Sequence, residues 1–310
     1  MSVPKTFYAN GKLLITGEYL VLEGARSLAL PLKVGQRMKV TENAHNTLIW
    51  RAFEPKGLWF ETVLDFPSLT IQSSTNRLLA EKLNKILKLA FQNVNLNDYA
   101  GLIVETHLDF SPDFGFGSSS TLISLLSQFT GADAYWLNKE LFGGSGYDVA
   151  CATAKGPVIY SLTEKGPTAE SVGFFPAFHE QIYFVYLGQK QQSSLEIERF
   201  KKQKSPTSLA VQEISEITES LCRTTTLDDF ERLLRQHEAI VANVLNRETV
   251  QNKLFSRYQG VVKSLGAWGG DFVLVTTQKE KSAFVSDMNA LGYHTLFSFA
   301  EIVMPPPDYF

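Results

Sequence analysis

Four stretches of this chain carry residue types that could do chemistry. The first is Pro112-Asp113-Phe114-Gly115-Phe116-Gly117-Ser118-Ser119-Ser120-Thr121. Glycines have no Cβ, so the backbone there can turn tightly and come close to a ligand. The serines then open an apolar helical pattern, whose first N–H groups are unpaired and whose dipole end is positive. That combination suits phosphate, and a hydroxyl at the same place can reach a phosphate-bound Mg²⁺. No G-x-x-x-x-G-K-[ST] pattern of a P-loop occurs anywhere in the chain. Taken alone, a loop with a helix cap explains this stretch as well.

The second stretch is Gly143-Gly144-Ser145-Gly146-Tyr147-Asp148, running on through Val149-Ala150-Cys151-Ala152-Thr153. An aspartate behind a glycine turn can be held near a ligand hydroxyl and, when ionised, accept its proton. Positioned bases contribute roughly 10²- to 10⁴-fold in rate this way. An Asp that caps the following helix is the plainer reading. The third stretch, Lys263-Ser264-Leu265-Gly266-Ala267-Trp268-Gly269-Gly270-Asp271, again permits close backbone approach, or else simply joins a helix to a strand. The fourth, Asn10-Gly11-Lys12 through Gly24, sets Lys12 early in a strand. There it is a fixed positive charge for an anionic site, or a solvated edge-strand lysine.

These residues need elements to hold them. Leu13 to Ile15 and Tyr19 to Leu22 read as two strands around Thr16-Gly17-Glu18. Further strands are expected at 38–41, 47–51, 58–64, 102–106, 157–160, 182–186, 272–276 and 295–303. Helical spacing runs from Arg77 to about Phe91, where Leu79, Leu83, Ile86 and Ala90 share one stripe. A second helix should open at Ser118 to Ser120 with serine as its N-cap. Others are expected over 208–223, 227–246 and 279–291, with one more ending near Leu265. Glycines and prolines between 166 and 178 mark the division, giving domains 1–170 and 171–310 of an α+β protein.

Composition narrows the function classes. With 310 residues the chain holds about two domains at roughly 150 residues each, and it can bury a core without disulfides. Hydrophobic residues make up 44% and charged residues 20%, a globular balance. The net charge of −3 argues against a nucleic-acid binder. Cys151 and Cys222 are too far apart in sequence for a zinc or redox motif and read as buried small side chains. The five histidines show no metal-ligand spacing. No apolar run approaches the ~20 residues that cross a bilayer, and no signal-peptide pattern opens the chain, so the expectation is a cytoplasmic protein with no membrane partner.

Each stretch is ambiguous, but their order along the chain resembles that of the GHMP kinases, which include galactokinase, homoserine kinase, mevalonate kinase and phosphomevalonate kinase. Lys12 to Gly24 is similar to the family's first motif. Gly115 to Ser120 is similar to its G-L-G-S-S motif, Ser145-Gly146-Tyr147-Asp148 with Thr153 to the S-G-x-D segment, and Gly266 to Gly270 to the late glycine motif. Mevalonate and phosphomevalonate kinases are the members most resembled. The resemblance implies an N-terminal lobe like ribosomal protein S5 domain 2 and a ferredoxin-like C-terminal lobe. It also implies ATP and Mg²⁺ and a small-molecule phosphoryl acceptor; a homodimer is compatible with the sequence, which does not fix the oligomeric state. Mevalonate leads among acceptors and phosphomevalonate follows.

Carried over by position, Asp148 and Lys12 would be catalytic. Gly115, Gly117, Ser118, Ser119 and Ser120 would wrap the ATP phosphates, with Ser119 also on the metal. Ser145, Gly146, Gly266, Gly269 and Gly270 would lie at the acceptor. The chain departs from the pattern in four places. Asn10 stands where the motif has Pro, Asp113 where some phosphomevalonate kinases have Lys, and Trp268 interrupts the glycines and is expected to reshape the acceptor pocket. No residue matches the second metal-binding glutamate of mevalonate kinase; Glu140 is the nearest acid and its spacing differs. The rival readings are a nucleotide- or metabolite-binding protein of this fold without kinase activity, or a sugar or amino-acid kinase.

Overall fold

A computed structural model of the chain describes residues 3–96, 101–189, 193–202, 207–266, 268 and 270–309. These residues divide into two compact units, neither continuous in sequence. The first comprises Met1–Gly11, Val34–Pro112 and Phe116–Gly143; the second comprises Lys12–Lys33, Asp113–Gly115 and Gly144–Phe310. Strand β1 (Lys5–Leu14) and strand β2 (Ser27–Glu42) each contribute residues to both. The expected cut at residue 170 falls inside the second unit, within a hydrogen-bonded hairpin.

The first unit is a sheet with helices. Strands β3 (Thr47–Glu54), β4 (Gly57–Asp65), β5 (Ile71–Ser74) and β6 (Leu102–Leu108) lie with β2 in the order β5-β4-β3-β6-β2. Burial alternates along β3, with Leu48, Trp50 and Ala52 turned inward, as a half-covered strand requires. β3 pairs with β4 antiparallel, Trp50 opposite Thr62, and with β6 parallel. Helix α1 (Arg77–Ala90) buries Leu83, Ile86, Leu87 and Ala90, and the Asn76 side chain caps it by accepting from Leu79 N–H. Helices α2 (Ser118–Thr130) and α3 (Ala134–Phe142) complete the unit, and each ends on a left-handed glycine, Gly131 and Gly143.

The second unit begins with helix α4 (Tyr147–Thr153) and the hairpin β7 (Val158–Thr163) and β8 (Gly166–Ser171). The N-terminal end of β2 pairs with β7, Ser27 opposite Tyr160. Next come β9 (Ile182–Tyr186), α5 (Ser193–Lys202), α6 (Ser208–Leu221), α7 (Leu227–Leu245) and the short α8 (Val250–Leu254). The chain closes with β10 (Val262–Ser264), β11 (Phe272–Thr276), α9 (Lys281–Ala290), β12 (Leu296–Ser298) and α10 (Phe299–Ile302). The last four strands form an antiparallel sheet in the order β10-β11-β9-β12. A β-α-β-β-α-β chain order with that arrangement is the ferredoxin-like pattern. Every residue of β11 is buried, and Tyr183, Val262, Val273, Phe284 and Met288 pack in one cluster beside it.

The structure also departs from the sequence expectations at several elements, four of them for a local reason. Leu20–Glu23 is a 3₁₀ turn and not a strand: Gly17, Tyr19 and Gly24 all have positive φ, and Leu20 and Val21 are both buried, so no strand alternation exists. The helix expected to end near Leu265 is α8 alone, because Val262–Ser264 pairs with Val273–Val275. The strand expected over 295–303 stops at Ser298, where Ser298 N–H donates to the Glu301 carboxylate at 2.7 Å in a capping box that starts α10. The N-cap of α2 is Gly117 at φ 92, one residue ahead of the serines. Among the described residues, no helix is long and apolar enough to cross a membrane.

Phe230 on α7 is fully buried, with its ring 5.3 Å from that of Phe178 and 6.4 Å from that of Phe174. Phe230→Ala should cost about 3–5 kcal/mol of unfolding free energy, because no neighbour can fill the space. Denaturant titration checks this; a loss below about 1 kcal/mol would show that the aromatic cluster does not hold the second unit.

Candidate active site

The second unit contains a cavity of about 140 Å³ that brings residues of all four sequence stretches together. Lys12, Ser145, Asp148, Gly266 and Asp271 all line it, and Gly115 closes one side. Lys12 sits near the end of β1, later in the strand than expected, and is partly buried. Its Nζ donates to the Gly115 carbonyl at 2.8 Å and lies 5.5 Å from the centre of the Tyr147 ring. Burial alone would push the Lys12 amine down. Tyr147, Asp148 and Asp271 together more than reverse that, so it stands above its ordinary value and is protonated at neutral pH.

Asp148 lies in the first turn of α4, where Gly146 at φ 92 is the N-cap. One carboxylate oxygen accepts from Val149 N–H at 3.1 Å. It is therefore not the cap itself, and its charge faces Lys12. Tyr147 is pushed up by burial, Lys12 opposing, so its phenol stays protonated. The walls are mostly apolar: Leu14, Val21, Leu22, Ile197, Leu265 and Phe272. A carboxylate and an ammonium held this way in a small apolar space can take a proton from a hydroxyl and balance charge that builds beside it.

Below this cavity lies a set of buried ionisable groups that no local sequence pattern announces. Lys263 and Glu18 have fully buried side chains and form an ion pair, and Lys263 Nζ also donates to the Ser264 carbonyl at 2.8 Å. His237 on α7 is fully buried and its Nε2 accepts from Gly17 N–H at 2.9 Å. Burial and the Lys263 charge hold His237 neutral, well below its usual range. Thr16 and Thr218 share a hydroxyl hydrogen bond at 2.7 Å. The Tyr19 hydroxyl accepts from Trp268 N–H at 2.8 Å. Residues 16 to 19 are thus tied one after another to α6, α7, β10 and the late glycine stretch. Gly17, at φ 89, has no room for a side chain, because a Cβ would collide with Ser27.

The remaining expected residues fall out as follows. Gly117, Ser118, Ser119 and Ser120 belong to the first unit, at the start of α2. Ser119 is exposed; Ser120 is buried and its hydroxyl donates to the Gly117 carbonyl at 2.9 Å. Gly270 is buried beside Asp271, and Gly269 lies outside the described residues. Trp268 does not reshape the cavity: it is 6% exposed, its indole N–H donates to the Glu248 carbonyl at 3.1 Å, and it is not among the lining residues. Glu140 is exposed on α3, and Asp113 is exposed. Cys151 is buried and Cys222 only half-buried, with burial pushing both thiols up.

Comparison with solved structures shows which known fold this is. Methanococcus jannaschii mevalonate kinase superposes with a TM-score of 0.69 at 15% identity, covering 98% of this chain and 99% of that one. Streptococcus pneumoniae phosphomevalonate kinase, in complex with phosphomevalonate and AMPPNP, gives 0.70 at 15% identity over 96% and 100%. Lactococcus lactis galactokinase complexed with galactose gives 0.66 at 10% over 98% and 94%. The chain has the GHMP-kinase fold. No protein-family profile and no curated protein matches the sequence. Lys12 and Asp148 line one cavity of this fold.

No group of three or more His, Cys, Asp or Glu among the described residues could hold a metal ion by itself. Mg²⁺ seldom asks for one, since it keeps its waters and binds through one or two protein oxygens plus phosphates. The exposed Ser119 hydroxyl on the first turn of α2 fits that lesser demand.

Glu238, buried beside Lys263, is pushed up by burial to about 7, and its carboxylate accepts from Ser264 N–H at 3.2 Å. The folded protein holds this proton until about pH 7, whereas the unfolded chain releases it near the ordinary value of 4.5. Between those values the unfolded state binds fewer protons, so stability falls as pH rises and levels off above 7. The window is worth on the order of 3 kcal/mol. Glu238→Gln keeps the acceptor for Ser264 and should remove this slope. Thermal melts should show the variant's advantage over the parent widening from pH 5 to 7 and then holding constant; a gap that does not change with pH would overturn the assignment.

Proposed function

We propose that this chain is an ATP- and Mg²⁺-dependent phosphotransferase that phosphorylates the hydroxyl of a small acceptor. The observation that carries the reading is Lys12, bonded to the Gly115 carbonyl, facing Asp148 across one small, mostly apolar cavity. At about 140 Å³ that cavity suits an acceptor better than a nucleotide. Asp148 takes or orients the proton of the acceptor hydroxyl. Lys12 keeps Asp148 ionised and offsets the negative charge that develops as the phosphoryl group moves. Phosphoryl transfer asks mainly for positioning and charge stabilisation, so these two residues and a metal are a sufficient set.

Gly117 and the first-turn N–H groups of α2 would hold the ATP phosphates, and Ser119 would supply an oxygen to Mg²⁺. When bound, Mg-ATP supplies the phosphoryl group and neutralises part of its charge. Ser145 and Gly266, which line the cavity, and Gly146 and Gly270 beside them shape the acceptor's place. Mevalonate is the leading acceptor and phosphomevalonate the next. The whole-length likeness to mevalonate and phosphomevalonate kinases supports both acceptors without ranking them, and the likeness to a galactokinase keeps a sugar in the comparison. The expected setting is the cytoplasm, in isoprenoid precursor synthesis.

The test is ADP release from the purified protein with Mg-ATP, offering mevalonate, phosphomevalonate, galactose and homoserine in parallel. Turnover should appear with one of the first two. Asp148→Asn should then lower kcat by roughly 10²- to 10⁴-fold, and Lys12→Met by about 10²-fold, with both variants melting like the parent. Full turnover in the Asp148 variant would remove Asp148 from the mechanism. ATP binding without turnover of any of the four would point to an acceptor outside them, and absence of ATP binding would favour the non-catalytic alternative.

A further inference from the structure

Asp271 was legible in the sequence only as the end of the late glycine stretch, yet its placement in the structure is unusual. It is 9% exposed and lines the same cavity as Lys12 and Asp148. Its backbone sits at φ 45, in the left-handed region that few non-glycine residues adopt. That conformation is held from both sides: Asp271 N–H donates to the Gln189 carbonyl at 2.8 Å, and its own carbonyl accepts from Leu187 N–H at 2.8 Å. A glycine would meet this geometry with no strain. What glycine lacks is the carboxylate, and that carboxylate lies so close to Gly115 that any side chain on Gly115 would strike it. Gly115 is the residue whose carbonyl receives Lys12.

We propose that Asp271 is a positioning residue that shares Lys12 with Asp148, so that two carboxylates from different parts of the chain fix the ammonium against the Gly115 carbonyl. The effect on rate rests on the phosphotransferase reading above; the charge pairing does not. A lysine held by Asp148 alone could swing toward it and leave the Gly115 side. With a second carboxylate there, the ammonium stays at the glycine loop, and Asp148 keeps a share of its charge free for an acceptor hydroxyl. The groups that face Lys12 are Tyr147, Asp148 and Cys151 from α4, the Gly115 carbonyl, and Asp271 ahead of β11; Glu18 lines the same cavity but is paired with Lys263. Asp271 is one of the groups that raise the Lys12 amine.

The deciding variant is Asp271→Asn, because asparagine also tolerates positive φ and changes charge with little change of shape. An opposite charge within a few ångströms moves a titrating group by roughly one unit or more, and each unit is tenfold in free amine. At pH 9, labelling by an amine-reactive reagent, read by mass spectrometry on the Lys12 peptide, should therefore run about 10-fold faster in the variant. Lys263, buried and paired elsewhere, reports on general loosening. A rise confined to Lys12 supports the proposal; no rise, or an equal rise at Lys263, overturns it. Where the parent turns over an acceptor, kcat should fall about 10-fold with KM changed less than about threefold, and activity should be lost at lower pH than in the parent. A fall in kcat with unchanged Lys12 labelling would mean a merely structural role and overturn the proposal. A parent with no turnover but a Lys12-confined rise sinks the phosphotransferase reading and leaves the charge pairing standing.

Discussion

A lysine and a glutamate with fully buried side chains can exist only as partners, and the Lys263–Glu18 pair sets the terms for the rest of the second unit. Coulomb attraction in the interior seldom outweighs what two charges lose on leaving water, while removing one partner costs about 3–5 kcal/mol. The pair is therefore a constraint more than a source of stability. It joins positions 245 apart in sequence and places Glu18 in a loop whose neighbours are tied as well: Thr16 to Thr218, Gly17 to His237 and Tyr19 to Trp268. Four successive residues, each bonded to a different element, leave that loop one conformation. Gly17 is glycine because φ 89 and the Ser27 side chain admit nothing else.

That same loop continues from the strand end that carries Lys12. Residues 12 to 19 thus run from one lysine-centred cluster at the cavity to a second beneath it, and Glu18 belongs to both, lining the cavity with its carboxylate held by Lys263. The lower cluster is kept nearly neutral. His237 is uncharged, and Glu238, pushed up to about 7, is mostly protonated below that pH, so in mildly acidic solution it adds little negative charge to that of Glu18, which Lys263 offsets. The upper cluster is different in kind. It keeps its charges in a cavity with apolar walls, where they act more strongly than they would in water.

What the sequence disclosed follows how local the signal was. The alternation of β3, the stripe of α1 and the apolar run of β11 are properties of neighbouring residues, and they were readable. The order of motifs disclosed the fold and placed Lys12, Asp148, Ser145 and Gly266 at what proves to be a single cavity. The failures came where an element's fate depends on backbone angles or on distant partners. Tyr19 to Leu22 has strand composition, but the glycines and Tyr19 at positive φ bend it into a turn. The break after Ser298 is signalled by the Ser-x-x-Glu spacing, which a run of apolar residues masks. Nothing local to Lys263 or His237 shows that they meet at Glu18. Trp268 looked like an intrusion into the acceptor's space because side-chain direction is not written in a glycine-rich string; packing turns the indole toward Glu248.

Asp271 shows the same limit from the other side. Its residue type and place after the glycines were visible, but its role depends on a carboxylate coming against Gly115, some 150 positions earlier. The glycine at 115 and the aspartate at 271 are complementary: one lacks a Cβ where the other presents a charge. Lys12 completes the contact by bonding the Gly115 carbonyl, so the beginning, middle and end of the chain meet at one ammonium. A site assembled from three remote segments is positioned only when the whole second unit is folded, and that couples its chemistry to the buried ion pair beneath it.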